Sequence, residues 1–160
     1  MIPDTFDACE VFEIAEQIER NGAKFYRKAA GIFNDDGISD TMRKLAEWET
    51  EHERIFAAMR ERLSGPGRTA ASPKGEQLVN NPRAMAGLAV FGIRSDPCDE
   101  LTGTEDRTDV LRRALEKEKE SIAFYEGLKD FAADKAGRDK IDRIIEEEMG
   151  HIATLSRLLE

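Results

Sequence analysis

The stretch Leu45-Ala-Glu-Trp-Glu-Thr-Glu-His-Glu-Arg-Ile-Phe56 decides how the rest of the chain is interpreted, because it places Glu49-x-x-His52 inside a helical pattern. Steps of three and four residues define one face of a helix. That face reads Ile38, Met42, Leu45, Glu49, His52, Phe56, Met59 and Leu63. Burying an unpaired polar group costs ~2–7 kcal/mol, and a charge costs more. Something in the interior must therefore compensate this carboxylate and imidazole, and a metal ion is the candidate.

The same arrangement returns near the end of the chain as Glu148-x-x-His151. The two motifs are offset by 99 residues (148 − 49 and 151 − 52), and they use both histidines of the sequence. One Glu-x-x-His motif arises easily by chance among 33 acidic residues. Two motifs in register, each on an apolar stripe, indicate one shared site.

Two further predicted helices carry one interior glutamate each. At the same offset of 99 residues, Glu19 matches Glu118, and Phe25-Tyr26 matches Phe124-Tyr125. The chain therefore looks like an internal duplication of a helical hairpin.

The predicted fold class is all-α, a single domain over residues 1–160 that forms an antiparallel four-helix bundle. Its parts are a helical hairpin over residues 7–63, a long crossover linker over 64–107, and a second hairpin over 108–160. The linker is rich in Gly, Pro, Ser and Thr, and a loop of this length needs a structural role. We expect it to run back along the bundle, with a short helix around residues 83–91.

The helix boundaries follow from capping and turn residues. The first helix is predicted to begin near Asp7 and the second to cover about 38–63. The third is predicted to end near Ala133, and the fourth to cover about 138–159 after a turn at Asp134–Gly137.

Composition excludes several classes of protein. The net charge is −9 and the isoelectric point is near 4.9, which argues against nucleic-acid binding and against an anionic membrane surface. No apolar run is long enough to cross a bilayer. Cys9 and Cys98 form no Cys-x-x-Cys motif, so neither disulfides nor a zinc knuckle are indicated. A cytoplasmic protein with free thiols is the default expectation.

The predicted metal site has four carboxylates and two imidazoles. Two divalent cations would balance the four negative charges, so a filled site could lie in a dry core. One histidine per metal among carboxylates favours iron or manganese over a thiolate-rich zinc site, although zinc or manganese could replace iron. The predicted ligands are Glu19, Glu49, His52, Glu118, Glu148 and His151.

Two tyrosines are predicted to support these ligands. Tyr26 and Tyr125 each lie two helical turns beyond the glutamate of their own helix, and helical side chains lean toward the N-terminus. Each hydroxyl could therefore bond to the carboxylates, with plain aromatic packing as the equal alternative. Gly22 and Ser121, between glutamate and tyrosine, could leave room for a small molecule. The neighbouring acids are expected to face water, namely Glu47, Glu51, Glu116, Glu120 and Glu146, while Glu16 is less clear.

These motifs resemble the ferritin-like di-iron carboxylate family, and most closely its rubrerythrin-like branch. The matching residues are Glu19-x-x-Gly22-x-x-Phe25-Tyr26, Glu49-x-x-His52, Glu118-x-x-x-Ile122-x-Phe124-Tyr125 and Glu148-x-x-His151. The resemblance implies two iron ions, bridged by Glu49 and Glu148. It implies that Glu19 and His52 are terminal ligands of one iron, and that Glu118 and His151 are terminal ligands of the other. It also implies a homodimer.

Two departures from the family pattern matter. Full-length rubrerythrins carry a rubredoxin-like domain with four cysteine ligands, which this sequence lacks, so we expect a peroxidase of this type to need a separate electron donor. The family's peroxidases also usually place a carboxylate three residues after the third-helix glutamate. Here that position is Ser121, which makes the site more symmetric.

The resemblance leads to one main function and two alternatives. The main one is a di-iron oxidoreductase that reduces peroxide or dioxygen. The first alternative is a ferroxidase that stores or delivers iron, and the second is a non-enzymatic bundle that metal holds together.

Overall fold

The computed structural model describes residues 8–63 and 101–160, and every long element in them is a helix. Helix α1 covers Ala8–Ile32 and α2 covers Asp36–Leu63. Helix α3 covers Arg107–Leu128 and continues into a 3₁₀ turn at Lys129–Phe131, and α4 covers Lys135–Leu159. These described residues contain no strand. The all-α prediction is confirmed.

Each hairpin is antiparallel, as the polar contacts between its helices show. Near the turn between α1 and α2, Ser39 Oγ donates to the carbonyl of Ala30 at 2.8 Å. Farther along, Arg20 pairs with Glu53 at 2.8 Å. From the start to the end of α1, the contacted residues of α2 therefore decrease in residue number, as in an antiparallel pair.

The second hairpin shows the same order at its two ends. The guanidinium of Arg107 donates to the carbonyl oxygen of Leu158, and Lys129 pairs with Asp142 at 2.9 Å. Helix α4 therefore returns along α3.

The two hairpins also pair in an antiparallel way, α1 with α3 and α2 with α4. The hydroxyl of Tyr26 contacts Glu118, while that of Tyr125 contacts Glu19. Helix α3 consequently runs in the same direction as α2. Chain directions of this kind require a connection along the length of the bundle.

The residues that flank the predicted crossover lie at opposite ends of the bundle, as a connection along its length requires. Leu63 packs with the hydrophobic cluster at one end of the bundle, and Leu101 is buried in the cluster at the other end. Residues 64–100, with the short helix expected around 83–91, lie outside the described residues. So does Asp7, the predicted start of the first helix.

The core consists of two apolar layers separated by a polar belt. One layer surrounds Phe12, Phe56 and Phe124, and the other surrounds Phe25 and Met42. Between the layers lie the buried side chains of the predicted metal site, at the middle of all four helices. The predicted stripe of α2 is confirmed, since its residues are buried from Ile38 to Met59 and only Leu63, at its end, is partly exposed.

The boundaries of the second hairpin differ from the prediction. Helix α3 ends at Leu128 rather than Ala133, and α4 begins at Lys135 rather than 138. The reason is local capping: the carboxylate of Asp134 accepts a hydrogen bond from the amide of Gly137 at 2.8 Å. Residues that were expected to form a turn are thus the N-cap and first turn of α4.

No helix among the described residues combines the length and hydropathy that a membrane span needs. Cys9 is half-buried and forms no disulfide bond, and Cys98 lies outside the described part of the chain.

Candidate metal centre

The structure brings all six predicted ligands together in the polar belt. Every one is buried, and the most exposed, His151, shows only 7% of its surface. Potential ligand atoms within 4.8 Å of one another form two overlapping groups of four. The first group is Glu19, Glu49, His52 and Glu148, and the second is Glu49, Glu118, Glu148 and His151.

The overlap separates shared residues from unshared ones. Glu49 and Glu148 belong to both groups, whereas Glu19 and His52 occur only in the first. This is the division into bridging and terminal positions that the family resemblance implies. The geometry is therefore that of two adjacent cation sites with two common carboxylates, and the role of these residues as ligands stays a prediction.

Both histidines direct the same ring nitrogen at the pocket. His52 Nδ1 lies 2.9 Å from Glu148 Oε1 and 3.6 Å from Glu19 Oε2. His151 Nδ1 lies 2.8 Å from Glu148 Oε2 and 3.6 Å from both Glu49 and Glu118. The two imidazole rings are nearly parallel, with centroids 6.0 Å apart.

Two oxygen atoms in this pocket show that its residues fit a metal. Glu19 Oε2 and Glu49 Oε1 are buried and have no hydrogen-bond partner. Buried polar atoms almost always have a partner, so each exception needs an explanation. A hard cation beside both atoms would supply the missing interaction. The donor set, four carboxylates and two imidazoles, suits iron or manganese.

The tyrosines contact the carboxylates across the bundle rather than along their own helices. Tyr26 of α1 donates to Glu118 Oε1 of α3, and Tyr125 of α3 donates to Glu19 Oε1 of α1. Burial and then the nearby carboxylates raise the pKa of both phenols well above 10, so they stay protonated and act as donors. Each phenol orients one glutamate, and for Glu19 this leaves the other oxygen directed at the pocket.

The space beside Gly22 is not available to a small molecule, contrary to the expectation from sequence. A Cβ atom at this position would lie 3.1 Å from Glu49 Cδ and still closer to Glu49 Oε2. The missing side chain instead accommodates the shared carboxylate. At the matched position, Ser121 bonds to the carbonyl of Lys117 at 3.0 Å and stays on its own helix.

Proximity and burial change the protonation of the metal-free pocket. Desolvation and repulsion between carboxylates raise the pKa of Glu19, Glu49 and Glu118. Burial opposes charge on the histidines, but hydrogen bonds to the glutamates outweigh it and raise the pKa to about 11 for His52 and about 10 for His151.

Glu148 is the exception among the carboxylates. Desolvation works against its charge, but hydrogen bonds from His151 and His52 outweigh this and lower its pKa. In the metal-free protein, protons therefore neutralise the buried carboxylates, as metal cations would in the metal-loaded protein.

The acids that were expected to face water do so, apart from Glu120, which is partly buried. Glu16 is buried but outside the metal groups, because it forms an ion pair with Arg60, whose Nη2 lies 3.1 Å from Glu16 Oε1. Trp48 is 47% exposed, and its ring centroid lies 6.4 Å from that of His52 and 6.2 Å from that of His151.

One contact of the site was missed by the sequence analysis. Glu147 Oε2 lies 2.8 Å from His52 Nε2, the ring nitrogen that faces away from the pocket. The residue adjoins a predicted ligand, and its matched position in the first hairpin is Trp48. Neighbouring positions of the repeat also differ, for example Thr50 and Met149 or Glu53 and Ile152, so the sequence carried no clear signal for this contact.

The fold and the site together define a ferritin-like helical bundle with a buried Glu/His cluster that is consistent with a di-iron site. The chain is similar to the crystal structure of a protein from Thermotoga maritima, provisionally described as a ferritin-like diiron-carboxylate protein. The identity is 23%, the match covers 96% of this chain and 95% of that one, and the TM-score is 0.73. No family model and no curated protein matches the sequence.

Substitution of Glu49 by Gln should separate metal binding from folding. It removes a shared, negatively charged ligand, so metal content should fall below two ions per chain. It also removes like-charge repulsion, so the metal-free variant should be at least as stable as the wild type. Metal analysis by mass spectrometry and thermal unfolding measure the two effects. Glu51→Gln, two residues away and exposed, is the control and should bind normally; equal loss in both variants would contradict the site.

The substitution Gly22→Ala should damage the site without unfolding the bundle. The new methyl group would displace the end of the flexible Glu49 side chain, so we expect at least a ~10-fold loss in affinity for the second metal ion. Gly150→Ala is the control, because a Cβ there meets nothing within 4 Å. It should bind metal normally and gain ~0.5–1 kcal/mol in stability. Normal binding by Gly22→Ala in a metal titration would refute the packing argument.

The metal-free protein should lose stability as pH rises above neutral. The folded pKa values of His52 and His151, about 11 and about 10, exceed the ordinary histidine pKa of 6.5. Their stabilisation is complete below pH ~6.5 and falls by ~1.4 kcal/mol per pH unit for each imidazolium until the folded pKa is reached. The raised pKa values of the glutamates act in the same direction.

We therefore expect the unfolding midpoint of the metal-free protein to drop by about 5 °C or more between pH 6.5 and pH 9. Circular dichroism in a chelator measures it. The drop should persist in ~0.5 M salt, because buried charges are screened far less than surface charges. A midpoint that is constant or rises over this range would be inconsistent with paired imidazolium groups.

Proposed function

We propose that the protein is a rubrerythrin-like di-iron oxidoreductase that reduces peroxide or dioxygen. The observation that carries the proposal is the pair of partnerless buried oxygens, Glu19 Oε2 and Glu49 Oε1, inside two overlapping groups of potential ligands. The T. maritima structure supports it further, since that protein is described as a diiron-carboxylate protein on the same fold. Two shared carboxylates would hold the metal ions close enough to act together.

When bound, a pair of iron ions supplies two one-electron redox centres and Lewis acidity toward a small oxygen species. The residues of the chain provide the surroundings. The phenol Oη atoms of Tyr26 and Tyr125 hold their protons and fix the terminal glutamates across the bundle. The apolar layers on both sides exclude water, which strengthens every charge interaction inside.

Reduction of one hydrogen peroxide to two water molecules takes two electrons and two protons, and a bound pair of Fe(II) ions would supply the two electrons. The proposal therefore includes an external electron donor that returns the iron to Fe(II). Within residues 8–63 and 101–160, no other group of three or more His, Cys, Asp or Glu side chains is arranged to hold a metal ion. This part of the chain contains no second metal centre to store electrons. The homodimer and the cytoplasmic location stay predictions.

A stopped-flow experiment tests this function. Metal-free protein is loaded with two Fe(II) per chain without oxygen and then mixed with hydrogen peroxide or with dioxygen. We expect rapid growth of near-ultraviolet absorbance, consumption of one peroxide per iron pair, and return to the starting spectrum with dithionite. Glu49→Gln is the inactive comparison, and Glu51→Gln the active one.

Other outcomes distinguish the alternatives. Continued uptake of iron beyond two ions per chain, or a closed cage in light scattering, would identify a ferroxidase that stores iron. Tight binding of two metal ions without any oxidation by peroxide or dioxygen would leave only a structural role and would reject the proposed chemistry.

A further inference from the structure

The two halves of the metal centre match closely, but their outer contacts differ at one repeated position. Glu147 and Trp48 occupy equivalent places in α4 and α2, since 147 − 48 gives the repeat offset of 99. Each immediately precedes a shared glutamate of the site. One position therefore presents a carboxylate to the outside of the histidine pair, and the other presents an indole ring.

In the first metal position, carboxylates hold both nitrogens of the histidine. Glu147 Oε2 lies 2.8 Å from His52 Nε2, while Nδ1 faces Glu148 at 2.9 Å and Glu19 at 3.6 Å. Glu147 keeps 33% of its side chain exposed, so its carboxylate reaches the ring from the solvent side and lies outside the buried pocket.

In the second metal position, the contacts lie on one side of the ring. The three carboxylates that contact His151, from Glu49, Glu118 and Glu148, all face Nδ1. Trp48 lies beside this ring, with centroids 6.2 Å apart and planes inclined by 62°. An indole N–H can donate a hydrogen bond but cannot accept one, so Trp48 cannot replace the carboxylate.

A carboxylate behind a histidine ligand has a defined effect. It accepts the N–H of the outer nitrogen, which fixes the tautomer, orients the ring and leaves the inner nitrogen free to bind metal. Removal of such a partner typically lowers metal affinity by ~10- to 100-fold. The two positions of this site should therefore differ in affinity even though their pocket residues match.

We propose that Glu147 is a positioning residue for His52, and that it makes the Glu19–His52 position the tighter, first-filled half of the dinuclear centre. Trp48, which stands at the matched position and lies near both rings, offers His151 no carboxylate, and this leaves the Glu118–His151 position the weaker half. This inference rests on the proposed metal centre. It assigns an order of filling and an inequivalence that the near-symmetric pocket residues alone would not produce.

The test is an anaerobic titration of metal-free protein with Co(II), followed by visible absorption and by proton NMR of the paramagnetically shifted imidazole N–H signals. The wild type should bind two Co(II) in two resolved steps. The first step should be accompanied by a shifted N–H signal that exchanges slowly with solvent, because Glu147 holds that proton on His52.

Four variants make the test specific. Glu147→Leu should weaken the first step by ~10- to 100-fold and abolish the slowly exchanging signal, while Glu147→Gln, whose amide oxygen still accepts, should restore both in part. Trp48→Glu should tighten the second step and add a second protected N–H signal. Glu146→Leu removes an adjacent exposed charge and should leave both steps unchanged.

The outcomes separate this inference from the function on which it rests. Two bound Co(II) with equal affinity in the wild type, or an unchanged first step and N–H signal in Glu147→Leu, would overturn the role of Glu147 while the dinuclear centre stood. Failure of the wild type to bind a pair of Co(II) ions would instead reject the centre itself.

Discussion

The structure depends on a concentration of charge in the middle of a hydrophobic bundle. Four carboxylates and two imidazoles are buried between two apolar layers, where an isolated charge is most unfavourable. Such a group is tolerable only with cations of some kind, either protons or metal ions. In the metal-free protein protons fill that role. The pKa values of three carboxylates and of both histidines are raised, whereas the pKa of Glu148 is lowered.

The remaining features of the bundle hold this arrangement in place. The two tyrosines exchange partners between α1 and α3, so the pairing that orients the terminal glutamates also ties the two hairpins together. Gly22 of α1, which has no side chain, leaves room for the carboxylate of Glu49 from α2. Each group of potential ligands draws residues from both hairpins, so neither hairpin contains a complete site alone.

Much of this could be predicted from the sequence because the two halves of the chain repeat one pattern, so a residue in one half can be checked against its match in the other. Glu19 was singled out by its match to Glu118, although a glutamate on a helix is ordinary. The helical stripes then placed each ligand on the buried face. The ends of α3 and α4 were less predictable, since Asp134 could begin a turn or cap a helix, and only its hydrogen bond to Gly137 decides between them.

The sequence pattern could not predict contacts between side chains on different helices. Periodicity states which face a side chain occupies, but not which neighbour it meets; hence Tyr26 was expected near the carboxylates without a stated partner. Glu147 was overlooked because the duplication that revealed the pocket is broken at that residue. The space at Gly22 was misassigned because the pattern of one helix does not show where the side chain of Glu49, on the neighbouring helix, extends.

The account is tested most directly by X-ray absorption spectroscopy at the iron edge of protein loaded with Fe(II) without oxygen. It predicts two iron ions per chain, a metal–metal scattering path, oxygen-rich coordination and one imidazole for each iron. A single isolated iron, or iron without imidazole ligation, would contradict the central claim that these six residues form one dinuclear site.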